Sequence, residues 1–102
     1  MLGDDKYIGV VGQNGRTHVY DPNLGSWHDI SSLPGYPVRG ADDISVISQG
    51  ANRIHITVRG TDAAGHDVIR QTSCRVSPVP GRGGNPRWPR NCTAFFDFTP
   101  PA

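Results

Sequence analysis

Glutamate is absent from this 102-residue chain, so its nine acidic residues are all aspartate. Paired carboxylates occur only at Asp4-Asp5 and Asp42-Asp43, and adjacent residues on a strand point to opposite faces, so neither pair suits concerted acid–base work. No serine or cysteine shares a recognisable local motif with a histidine and an aspartate. A small secreted hydrolase built on His and Arg is the enzymatic reading that stays open. No apolar run approaches the length that spans a membrane, and the amino-terminal MLGDDKY carries no apolar signal segment, which points to a processed or engineered product or a piece of something longer. The formal net charge is only +1, so no global field draws in nucleic acid or an anionic membrane. No helix-period segment of useful length occurs either, and the fold class is all-β.

What is present is a set of short alternating segments separated by Gly, Asn and Pro. Tyr7 to Val11 and Arg16 to Tyr20 read as strands joined by Gly12-Gln13-Asn14-Gly15, where Asn-Gly supplies the positive φ angles of a tight hairpin. Asp21-Pro22-Asn23-Leu24-Gly25 makes a second turn, and Ser26 to Ile30 a third strand with Trp27 as apolar anchor. After the break at Leu33-Pro34-Gly35-Tyr36-Pro37, Ile44 to Ser48 and Arg53 to Arg59 form another hairpin. In it Ile54, Ile56 and Val58 share one face, and His55, Thr57 and Arg59 the other. A strand around His66 to Gln71 and a last one over Thr93 to Phe98 complete the set.

These segments partly repeat. Aligned from Ile8 and Ile44, IGVVGQ-NGRTHVY matches ISVISQGANRIHITV, and each copy then reaches a His-Asp-aliphatic triplet, His28-Asp29-Ile30 and His66-Asp67-Val68. An offset of 36 to 38 residues, filled with strands instead of helices, suits antiparallel β-sheet repeats of the propeller-blade kind. One β domain then spans residues 1–102, with a first repeat at about 6–40, a second at about 41–72, and a carboxy-terminal segment at 73–102.

That last segment is irregular. Cys74 and Cys92, the only cysteines, enclose RVSPVPGRGGNPRWPRN, whose prolines Pro78, Pro80, Pro86 and Pro89 forbid regular ladder pairing. A disulfide would staple it for roughly 3 kcal/mol on the chain-entropy argument, the alternative being two free buried thiols. No CxxC or Cys/His spacing argues for zinc or redox chemistry. A disulfide implies a secreted or extracytoplasmic location, and a domain with 35% hydrophobic residues is marginal enough to need such a staple or a partner.

SQGANRIHITVRGTD, Ser48 to Asp62, resembles the blade motif of the PLL-like β-propeller lectins, bacterial sugar-binding proteins. The likeness rests on Ser48, Gly50, Asn52-Arg53, Val58-Arg59-Gly60-Thr61-Asp62 and Ala64, and a preceding Trp27 and Leu33-Pro34-Gly35 extend it over residues 26–72. The resemblance implies blade-shaped sheets with glycans bound in clefts between them. It lacks the aromatic-rich strand that follows in such blades, where Gly65-His66-Asp67-Val68-Ile69-Arg70 stands here, and residues 73–102 resemble no blade. A closed propeller has about four to eight blades of about four strands, and this chain supplies about two. It is therefore expected to form a ring with copies of itself, to be one section of a longer propeller, or to close differently by folding the Phe95-Phe96-Phe98 strand over the sheet.

On this basis Asn52, Arg53 and Asp62, with first-repeat counterparts Asn14, Arg16 and Asp21, are the candidate polar contacts to a glycan, and Trp27 or Tyr36 the stacking surface. The competing reading makes Asn52 and Gly60-Thr61-Asp62 turn chemistry, with Arg59 paired to Asp62 and Trp27 in the core. His18 and His55, like His28 and His66, occupy equivalent repeat positions, which separates them and argues against a metal site. Arg75, Arg82, Arg87, Trp88 and Arg90 interleave cations with an aromatic, a pattern that suits an acidic glycan, a phosphate-bearing partner or single-stranded nucleic acid, or else a solvated loop. Asn91-Cys92-Thr93 fits the glycosylation pattern of eukaryotic secretory proteins. The functional expectation is a secreted, lectin-like carbohydrate-binding module that needs no cofactor and works as a homo-oligomer or within a longer propeller. The alternative from another class is a structural or protein-interaction module of a larger secreted assembly.

Overall fold

The computed structural model describes residues 7–22, 24–49, 52–76 and 87–100. Within them the chain forms β1 (Ile8–Val11), β2 (Thr17–Asp21), β3 (Ser26–Asp29), β4 (Ala41–Gln49), β5 (Arg53–Thr61), β6 (Asp67–Arg75) and β7 (Phe96–Asp97), with no helix. The strands make two antiparallel sheets, ordered β1-β2-β3 and β4-β5-β6-β7. Both are meanders in which each strand pairs with its neighbour in the chain, and neither closes on itself. Among the described residues no helix is long and apolar enough to cross a membrane.

Local chemistry accounts for the turns. Gly12 N–H donates to the Arg16 carbonyl at 2.9 Å and Gly15 N–H to the Gly12 carbonyl at 3.0 Å. Within this turn only Gly15 takes a positive φ, 78°. Asn14 does not share it as the Asn-Gly reading expects; its Oδ1 instead accepts the Arg16 N–H at 3.1 Å, an alternative that short polar side chains offer in turns. The same two backbone bonds recur at Asp62–His66, each at 3.0 Å, around Gly65 at φ 86°. The likeness matches β1 with β5 and β2 with β6, whereas the sequence alignment from Ile8 and Ile44 matches β1 with β4.

Period-two burial is clearest on β5, where Ile54, Ile56 and Val58 are buried and His55, Thr57 and Arg59 face away. They share the core with Val19 and Ile30 of the first unit and with Ala41, Cys74, Val76 and Phe95. The inner faces of the two sheets meet at Gly9, where a Cβ would stand 2.5 Å from Ile44 Cδ1 and 2.9 Å from Val46 Cγ2. Burying those three β5 side chains stabilises the fold by roughly 1.5–3 kcal/mol each before chain entropy is subtracted.

Among the described residues Arg70 Nε is the one buried side-chain polar atom without a hydrogen-bond partner; the others are satisfied. Thr72 Oγ1 donates to the Thr93 carbonyl at 2.6 Å. Tyr36 Oη donates to the Gly15 carbonyl at 2.6 Å and lies 2.6 Å from Thr17 Oγ1, so the Thr17 hydroxyl donates into a short chain that fastens the 33–40 connection to the first hairpin.

Cys74 and Cys92 form a disulfide, S–S 2.04 Å, as expected; much of the loop between them, including Arg82, Pro78, Pro80 and Pro86, lies outside the described residues, as do Asp4, Asp5 and Gly50. The last strand is shorter than Thr93 to Phe98. Phe96 and Asp97 form the ladder with β6, beyond an isolated bridge at Cys74–Cys92, extending that sheet's edge instead of folding over its face, while Phe95 turns inward against Tyr36, ring centroids 5.4 Å apart.

Candidate functional site

The outer face of the first sheet is assembled by strand register. Ile8 pairs with Tyr20 and Val10 with His18, while Tyr20 pairs with Trp27 and His18 with Asp29. Since side chains alternate between faces, these six share one side, and Val19, buried from β2, lies on the other. The outer row Ile8–Tyr20–Trp27 stays open to solvent: Trp27 is 50% exposed and Ile8 48%. Trp27 is thus not the apolar core anchor that the sequence suggests. Its ring tilts against Tyr20 at a centroid distance of 5.2 Å.

Two residues along β3, about 7 Å away, sits a charged cluster on the same face. Arg16 reaches Asp29 Oδ2 through Nε at 2.7 Å and through Nη2 at 2.6 Å. Ser31 N–H donates to Asp29 Oδ1 at 2.8 Å, and His18 Nε2 lies 4.0 Å from Oδ2. Partial burial by itself raises the Asp29 pKa, but the hydrogen bonds from Ser31 and Arg16 and the Arg16 charge outweigh it and hold the carboxyl below its ordinary value. An aromatic platform beside a fixed Arg–Asp pair offers stacking to an apolar ligand face and planar hydrogen-bonding groups at its edge.

The other sequence candidates are scattered. Asn14, Arg16, Tyr36 and Arg39 border a cleft of about 340 Å³ between the first hairpin and the 33–40 connection; the Tyr36 hydroxyl is already engaged there. Asp21 is 1% exposed and accepts the Trp88 indole N–H at 2.9 Å, which places it in the interior. Arg53 opens β5 and Asp62 follows its end, so nine strand residues, about 30 Å, separate the two; they do not meet in one site. Asn52 takes the Val76 N–H on its carbonyl at 2.9 Å. Asp62 Oδ1 accepts the His66 N–H at 2.9 Å and the Ala64 N–H at 3.0 Å. These bonds, that from His66 foremost, lower its pKa. Arg59 approaches Asp67 at 3.7 Å, not Asp62.

The histidines have separate partners. His55 Nδ1 meets Ser73 Oγ at 2.8 Å, and His66 lies 3.9 Å from Asp62. His28 Nε2 meets Ser26 Oγ at 2.9 Å, and its ring lies flat against Trp88 at 5.4 Å and 13°. Burial lowers the His28 pKa, with the Asp21 charge opposing. Among the described residues no three metal-ligating side chains stand close enough to hold an ion.

His18 and Asp29 were not among the sequence candidates for this face. Their signal was available: period-two alternation along β2 and β3 puts both on the side of Trp27 and Tyr20. No protein-family model matches the chain, and no curated protein or solved structure matches it either.

Proposed function

We propose that this protein is a secreted carbohydrate-binding module that takes a sugar ring on the outer face of its first sheet. Trp27 and Tyr20 stack on the apolar side of the ring, and Arg16, Asp29 and His18 contact its hydroxyls. The observation that carries the reading is a half-exposed Trp27, paired to Tyr20, beside a pre-oriented Arg16–Asp29 pair. Adjoining apolar side chains left exposed on a sheet face mark an interaction surface, and the ring contact orders their geometry in advance. The resemblance of residues 26–72 to PLL-like lectin blades supports the same class, and the disulfide supports an oxidising compartment. A glycan array read with wild type and Trp27→Ala tests it. Wild type retains at least one glycan, and the variant binds that glycan at least about tenfold more weakly, or about 1.4 kcal/mol, with unchanged circular dichroism. A wild type silent on every glycan, or a variant that binds equally, refutes the reading.

A second reading is favoured by one feature. The matched turns make β1 the equivalent of β5, yet β5 has β4 outside it whereas β1 is an edge strand. That open edge, carrying Ile8 and Val10, fits a further strand from another blade-like unit, as in a propeller section or a homo-oligomer. Light scattering separates the two: a monomer at high concentration removes self-assembly, and Val10→Lys should dissociate any oligomer that forms.

A further inference from the structure

The arginine-bearing end of the second sheet is unlike the rest of the surface. Arg53 opens β5 and Arg75 closes β6, and the two are direct partners in the register. Like charges placed opposite one another across an antiparallel pair destabilise it. Arg87 and Arg90 belong to a segment whose backbone is bonded to the end of β6. Arg75 N–H donates to the Asn91 carbonyl at 2.9 Å and Asn91 N–H to the Arg87 carbonyl at 3.0 Å, while the Asn91 amide returns a bond to the Arg75 carbonyl at 2.8 Å. The Cys74–Cys92 disulfide closes this junction. Arg53, Arg75, Arg87 and Arg90 are all exposed, and among the described residues none of them joins an ion pair. Asp21, the carboxylate bound to neighbouring Trp88, is buried.

Stability alone therefore argues against this arrangement, and a covalent staple maintains it. From that juxtaposition we infer a second binding site here, for a polyanionic polysaccharide bearing sulfate or carboxylate groups. Guanidinium groups form paired hydrogen bonds to such oxyanions, and a strand of regularly spaced charges would relieve the repulsion among the four arginines. Trp88 decides the ligand class. Among the described residues the aromatic beside these arginines is Trp88, which has one ring face stacked on His28 and its N–H committed to Asp21, so the cations there lack the run of free aromatic faces on which single-strand binders stack successive bases. The disulfide also fits an oxidising exterior, where anionic polysaccharides occur. This site is independent of the Trp27 face and does not rest on it.

The test uses heparin, a sulfated polysaccharide, titrated into the full chain at low and moderate salt, with single-stranded DNA of similar charge as competitor. Wild type binds heparin with an affinity that falls as salt rises, and DNA competes more weakly. Arg53→Ala/Arg75→Ala and Arg87→Ala/Arg90→Ala each weaken binding about tenfold, or about 1.4 kcal/mol, whereas Arg59→Ala leaves it unchanged. Removing one member of the opposed pair, Arg53→Ala, keeps or raises the melting temperature, so loss of binding cannot be ascribed to unfolding. The inference is overturned if wild type ignores heparin at low salt, if Arg59→Ala weakens binding as much as the double variants, or if DNA competes equally well.

Discussion

Gly60→Ala isolates a packing constraint whose sign follows from two opposing terms. A glycine inside a strand costs chain entropy, and alanine at a compatible position returns about 0.4–1 kcal/mol through the unfolded state. At Gly60, however, an added Cβ collides with the Gly40 carbonyl oxygen and stands 2.9 Å from Pro37 Cβ and 3.0 Å from Ala41 Cα. These atoms belong to backbone or to a proline ring and cannot rotate away. The same backbone is tied down by Thr61 N–H donating to the Gly40 carbonyl at 3.1 Å and Arg39 N–H to the Thr61 carbonyl at 2.9 Å. Overpacking of this kind costs about 1–3 kcal/mol, so the net expectation is a loss of about 1–2 kcal/mol, a fall in Tm of roughly 5–15 °C for a domain of this size. Thermal melts followed by far-UV circular dichroism, repeated in urea with the disulfide intact, measure it. A variant that melts at or above the wild type would show that the 37–41 connection does not lie against β5 as described, and the packing argument would fail.

Two other outcomes concern stability. Burial keeps the His28 pKa below 6.5 despite Asp21, so the unfolded chain takes up this proton first and the stabilisation present above pH 6.5 is lost as pH falls below that value. Melting temperature should decline between about pH 7 and about pH 5.5, and His28→Gln should flatten the decline; an equal slope in the variant contradicts the assignment. Reducing Cys74–Cys92, or replacing both with alanine, should cost about 3 kcal/mol in urea unfolding. No loss would mean that the staple does not constrain the unfolded chain.

Much of this architecture is legible in the residues. The alternation of Ile54, Ile56 and Val58 places one face of β5 inward without further information, and the spacing of the cysteines around a proline-rich loop implies their bond. The turn reading of Asp62 likewise follows from a side chain short enough to accept the N–H groups two and four residues ahead. The orientation of β3 is different. Period two says only that Trp27 and His28 lie on opposite faces, and which of them is buried depends on Trp88, which stacks on His28 and satisfies Asp21 across 67 positions. No local pattern carries that contact, so Trp27 reads as an anchor and Asp21 as a surface contact until the chain is folded. The separation of Arg53 from Asp62 was, by contrast, available from the length of the strand between them. Gly60 shows the same division: its place before a turn is visible locally, but its need for bareness comes from Gly40.

The most direct test of glycan binding on the first sheet is a two-dimensional proton–nitrogen NMR titration that follows the two indole N–H signals. With the glycan selected on the array, the Trp27 signal should shift progressively together with the backbone amides of Tyr20 and Asp29, while the Trp88 signal, bonded to Asp21, stays in place. A titration that moves neither indole, or moves Trp88 and leaves Trp27 untouched, would contradict the account.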